Sequence, residues 1–113
     1  MKYYSEDEMK DLRLAFEEKV LKWKQIDIKK MFGCPCYQSN GKLFVFLVTK
    51  GIVITKLDKK EKEILSQQFS TTPFKAGKKT VHNWARIPIN RKKDLDQIMP
   101  FVRKSYDRAI QET

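Results

Sequence analysis

The sequence predicts an α+β domain: an antiparallel sheet of about five strands with a central meander, packed with an N-terminal helix, a C-terminal helix and one short helix. Three observations predict it. Between Met31 and Lys56, apolar runs break at Asn40-Gly41 and Lys50-Gly51. Asn-Gly between apolar runs is a strong hairpin signal, because both residues accept the positive φ of a type I′ turn, and Gly51 is expected to do the same at the second corner. Ahead of this stretch apolar side chains step by three or four from Met9, and behind it they do so again from Leu95.

A chain of 113 residues has room for one core and not two, so residues 1–113 read as a single domain. The 41% apolar content, with seven Phe, four Tyr and two Trp, fills that core and argues against disorder. The longest apolar run, Leu43 to Val48, falls short of the roughly 18 residues of a membrane span. The start of the chain, Met1 to Glu8, turns acidic where a signal peptide would be apolar. A cytoplasmic protein without membrane contact is expected.

Ser5-Glu6-Asp7-Glu8 reads as a capping box opening a helix from about Glu6 to Trp23. Met9, Leu12, Phe16, Val20 and Trp23 form its apolar stripe, with Lys22 and Lys24 near its negative end. From Gln25 to Phe32 the period shortens to two, with Ile26, Ile28 and Lys30 on one side and Asp27 and Lys29 on the other. Charges on the outer side suit a strand at a sheet edge, where they discourage unwanted pairing. A bend or bulge is expected at Gly33 to Pro35.

In the central strands both alternating sets are apolar, Leu43, Val45 and Leu47 against Phe44, Phe46 and Val48. Both faces must therefore be covered. Either the first and last helices take one face each, or a second copy of the chain covers one face, making a homodimer. Asp58-Lys59-Lys60-Glu61 repeats the capping pattern ahead of a helix of two to three turns carrying Ile64, Leu65 and Phe69, which stops at Ser70-Thr71-Thr72-Pro73. Phe74 to Lys79 reads as a basic loop, and residues 81–88 alternate as a closing strand. Asp94 is expected to cap a helix from Leu95 to Gln111, with Pro100 inside it kinking it or leaving one carbonyl free near Asp96.

The residues Lys30-Met31-Phe32-Gly33-Cys34-Pro35-Cys36-Tyr37, then Asn40-Gly41-Lys42-Leu43-Phe44, then Ile52 to Asp58, Pro73-Phe74 and Trp84 to Ile89, resemble the amino-terminal domain of the TfoX/Sxy competence-regulator family. The resemblance runs from the first helix through the last and implies a stand-alone domain of that kind, a small α+β unit with a curved antiparallel sheet, often dimeric. It implies a part in regulating DNA-uptake genes rather than catalysis, and it supplies no catalytic residues.

The residues themselves offer little chemistry. Cys34-Pro35-Cys36 and the single His82 are the one candidate metal set, and they make at most three ligands within one chain where a zinc site needs four, or three plus water. The one-residue gap does not match the thioredoxin-like spacing, and a disulfide across it would be strained. No Gly-rich phosphate loop occurs, nor paired carboxylates outside helix caps. No cofactor and no enzymatic activity are expected.

The charge carries more. Residues 1–24 hold six basic and six acidic side chains, so the whole surplus of +10 lies beyond them. Such a body attracts polyanions. Lys75, Lys78, Lys79, Arg86, Arg91, Lys92 and Lys93 are the candidate nucleic-acid contacts, expected to gather at one edge, with Phe74 and Trp84 placed to stack bases. The reading that results is a non-enzymatic regulatory module acting through protein contacts, with nucleic-acid binding as the alternative.

Overall fold

The computed structural model describes residues 3–89 and 91–111. In chain order it contains α1 (Glu6–Val20), β1 (Ile26–Met31), β2 (Cys34–Ser39), β3 (Lys42–Val48), β4 (Gly51–Ile54), α2 (Lys59–Gln68), β5 (Thr72–Ala76), β6 (Lys79–Pro88) and α3 (Lys92–Gln111). The strands form one antiparallel sheet in the order β1-β2-β3-β4-β6-β5. The α+β class holds, with six strands among the described residues where about five were expected. The extra strand is β5, which lies in the stretch read as a breaker and a basic loop. Its pairing with β6 leaves only Gly77 and Lys78 as the turn, Gly77 at φ 63°.

Asn40-Gly41 is a type I′ corner as expected, at φ 53° and 74°. The corner at Phe32-Gly33 has the same signs, 55° and 76°, so β1 and β2 are a tight hairpin rather than strands joined through a bend. Pro35 lies inside β2, opposite Lys30. At the third corner the positive φ of 57° belongs to Lys50, and Gly51 is needed for a different reason. A Cβ there would sit 3.1 Å from the Ile87 carbonyl oxygen and 3.1 Å from a Val48 methyl, so Gly51 permits the close approach of β4 and β6.

The helix ends show which local signals survive packing. Asp58 caps α2 in full, its carboxylate accepting from the Glu61 backbone at 2.7 Å while Glu61 accepts from the Asp58 backbone at 2.9 Å. The Ser5 side chain makes no capping bond; instead the Ser5 N–H donates to the Thr49 hydroxyl at 2.8 Å, tying the entry of α1 to the β3–β4 corner. α1 ends at Val20, and Trp23 leaves the helix to pack on Phe44 and Tyr106. α3 begins at Lys92, so Asp94 sits in its first turn and accepts from the Arg91 N–H at 3.2 Å. Pro100 lies inside α3, exposed.

Both faces of the central strands are covered, as their composition required, but neither expected arrangement is the one found. α1 and α3 lie side by side on the same face. Lys19 of α1 pairs with Asp96 of α3 at 2.9 Å, and Phe16 meets Tyr37 with ring centroids 5.1 Å apart. Tyr37 shares that face with its register partner Val45. The opposite face, carrying Cys36, Phe46 and Val53, is covered by the sheet itself. Phe74 of β5 reaches Phe46 of β3 at 5.1 Å although β4 and β6 stand between their strands, so the sheet curls back over its own surface. Tyr3 closes the gap, its ring packing at a tilt against Phe32 at 5.4 Å and Phe74 at 5.9 Å while its hydroxyl accepts from the Gly77 N–H at 2.8 Å. The reason is sheet twist and coiling, which lets a long two-strand ribbon fold over a short sheet.

Between β2 and β3 the register shifts so that Gln38 faces Leu43 and Tyr37 faces Val45, leaving Phe44 as the bulged residue. Ser105 of α3 services that bulge. Its buried hydroxyl donates to the Phe44 carbonyl at 2.7 Å and accepts from the Lys56 N–H at 3.0 Å.

Candidate functional site

The sequence-predicted site residues do not assemble. Cys34 and Cys36 are free and buried on the curled-over face, where burial pushes their thiols up to about 11 and about 12. His82 is exposed on β6, and no group of three potential metal ligands exists among the described residues. A thiolate is the reactive and ligating form, so raised, buried thiols are poor redox or metal groups. A disulfide-exchange reagent added to the native protein at pH 8 is expected to titrate neither thiol, and both after unfolding in denaturant. Rapid reaction of either thiol in the native state would contradict this burial.

The basic residues divide into separate groups. Lys75 and Arg86 line one groove of about 440 Å³ with Thr72 and Pro73. Lys78 is in the β5–β6 turn and Lys79 opens β6. Lys92 and Lys93 sit instead in the first turn of α3 beside Lys19 and Lys22, interleaved with Glu18 and Asp96, and Arg91 precedes them. They do not gather at one edge. Phe74 is fully buried and offers no ring to a base, while Trp84 is half-buried against Phe46 and Phe74.

What the sequence reading missed is a cleft of about 530 Å³ between α1 and the β1–β2 hairpin. Its wall is a chain of charge-assisted hydrogen bonds. Arg13 holds Glu6 through two nitrogens, at 2.9 and 2.7 Å, and Glu17 through a third, at 3.0 Å. The Tyr4 hydroxyl donates to Glu6 at 2.6 Å and the Tyr37 hydroxyl to Glu17 at 2.7 Å. Glu6, Arg13 and Glu17 recur every four to seven residues just off the apolar stripe of α1, and that spacing was the available signal.

The hydrogen bonds of the wall move Glu6 and the two phenols in opposite directions. Arg13 and Tyr4 keep the Glu6 carboxyl down at about 2. Burial first and the neighbouring carboxylate second push both phenols well above their ordinary range. Near neutral pH Glu6 is therefore ionised while the Tyr4 and Tyr37 hydroxyls keep their protons and donate them to the carboxylates. Because the folded-state value of Glu6 lies below its ordinary 4.5, its stabilising effect is present above that pH and is lost as pH falls toward about 2. Glu6→Gln is therefore expected to flatten the pH dependence of the melting temperature in that window; an unchanged acid limb would contradict the pairing.

Exposed apolar side chains occur on both elements that bound the cleft. Ile28 on β1 is 45% exposed, Phe32 at the hairpin tip 51%, and Leu14 and Leu21 on the outer side of α1 49% and 48%. Phe32 is also a bulky residue at φ 55°, a conformation that costs on the order of 1 kcal/mol or more. β1 has a neighbour on one side only, so half of its backbone groups face outward.

The model of the TfoX N-terminal domain matches residues 18–109. The chain belongs to that family. The TfoX N-terminal domain match spans all six strands, the end of α1 and nearly all of α3. It starts later than the resemblance suggested, so Tyr4, Glu6, Arg13 and Glu17 stand ahead of it. The cleft thus joins a family element, the β1–β2 hairpin with Tyr37, to Tyr4, Glu6, Arg13 and Glu17 from outside the matched segment. No curated protein and no solved structure matches the chain. Among the described residues no helix is long and apolar enough to cross a membrane.

Proposed function

We propose that this TfoX N-terminal domain protein is a non-enzymatic regulatory module of the cytoplasm that works through protein–protein contact along β1 and the adjoining cleft. The observation that carries this reading is the coincidence of an open strand edge with exposed Ile28 and Phe32, the latter held in a strained backbone conformation. Exposed apolar side chains along an unpaired strand edge suit a contact surface. The mutual hydrogen bonding of Tyr4, Glu6, Arg13, Glu17 and Tyr37 in the cleft wall supports a binding role over a catalytic one.

A nucleic-acid contact is the second reading, favoured by the joint presence of Lys75 and Arg86 in one groove. One experiment separates the two. Tagged wild type, Ile28→Glu and the triple Lys75→Glu/Lys78→Glu/Lys79→Glu variant are used for capture from extract of the source cells, with matched melting temperatures. The proposed function expects the captured proteins to be lost with Ile28→Glu and kept by the triple variant. Retention with Ile28→Glu, together with salt-sensitive nucleic-acid binding that the triple variant loses, would replace it with the second reading.

A further inference from the structure

The geometry points to a second copy of this chain as an occupant of the β1 edge, paired antiparallel in a single register centred on Ile28. This inference rests on the contact reading above and names its partner. Phe32-Gly33 is a two-residue loop, so Met31 and Cys34 close the hairpin as a hydrogen-bonded pair. Alternation along the strand then turns the amides and carbonyls of Ile26, Ile28 and Lys30 outward, to the unpaired side. A symmetric partner must match these groups with its own, which allows only registers that pair even-numbered residues with even-numbered ones.

Charge selects among those registers. Centring on Asp27 would place Asp27 against Asp27 of the second copy, and centring on Lys29 would place Lys29 against Lys29. Like charges directly opposite are destabilising. Centring on Ile28 sets Asp27 against Lys29 of the second copy, twice, at the positions where strands come closest, and Ile28 against Ile28. Asp27, Lys29 and Ile28 are all exposed in the single chain. The charges that protect this edge from indiscriminate pairing therefore admit one partner of matching pattern.

Nearby features agree. Ile28 shares the helix-bearing face with its register partner Tyr37, and the exposed Leu14 and Leu21 lie on the outer side of α1 on that face, where a helix of the second copy would approach. The other free edge, β5, is short and carries Pro73, which has no N–H to offer.

Sedimentation over a concentration series tests this with wild type, Asp27→Lys, Lys29→Asp and the double swap. The expected result is a monomer–dimer equilibrium for wild type, weakened about tenfold or more by each single change and restored by the swap. The single variants alter exposed side chains, and melting curves check their folding. Dimerisation unaffected by the single changes, or a swap that stays monomeric, would overturn the register and the inference. A wild type that is monomeric throughout, with capture still lost in Ile28→Glu, would overturn the second copy as partner while leaving the contact reading in place. Monomers with capture unchanged by Ile28→Glu would remove both.

Discussion

Phe74→Ala is expected to lower the unfolding free energy by about 3–5 kcal/mol, read from denaturant unfolding. Phe74 is fully buried and is the side chain with which β5 reaches across the curl, meeting Phe46, Trp84 and Tyr3. Truncating it removes apolar burial and leaves a void that the surrounding aromatic rings cannot readily fill. The same change is expected to open the face on which the cysteines lie, so that thiol titration of the native protein becomes measurable where wild type shows none. Phe74→Leu, which keeps most of the volume, should lose less on both counts. A loss of only about 1 kcal/mol or less for Phe74→Ala would mean that the hairpin does not cover the sheet.

Ser105→Ala is expected to cost about 1–3 kcal/mol, although it deletes a single oxygen atom. The hydroxyl joins the Phe44 carbonyl of the bulge to the Lys56 backbone N–H, linking β3, α3 and the segment after β4. A buried Ser removed from two backbone partners loses both bonds at once. Ser105→Thr, which keeps the hydroxyl, separates hydrogen bonding from packing: retention of most of the stability would assign the loss to the bonds. Equal losses in both variants would assign it to the tight space around residue 105.

How far these features were legible in the sequence depends on how local their causes are. Asn40-Gly41 and the Asp58 capping box announce themselves because turn and cap are settled within four residues. Phe32-Gly33 does not, because a Phe at positive φ is an unusual way to build the same corner. Gly51 reads as a turn residue, yet the atoms that require it belong to Ile87 and Val48, one of them on a strand far along the chain. Ser5 has the right neighbours for a capping box, but the backbone N–H that the Glu8 side chain would accept from is given to Thr49.

The covered sheet followed correctly from the double apolar alternation in β3, but what covers it did not. A pattern of two states that a face is buried, and nothing in it distinguishes a helix from a curled hairpin. The candidate site shows the same limit. Glu6, Arg13 and Glu17 lie on one side of α1 by spacing, while Tyr37, which completes the wall, comes from β2 and is brought there by the fold. The lysines and arginines expected at one edge fall into separate groups in space, because β6 separates the β5–β6 turn from the start of α3.

Amide hydrogen exchange at high and low protein concentration tests the central claim most directly: one chain covers both faces of its own sheet and leaves the outer edge of β1 for contact. The prediction is strong, concentration-independent protection of Phe46, Val53 and Ile87, together with protection of Ile28 and Lys30 that appears only on concentration. Loss of protection in the central strands on dilution, or Ile28 and Lys30 amides that exchange slowly even when dilute, would contradict it.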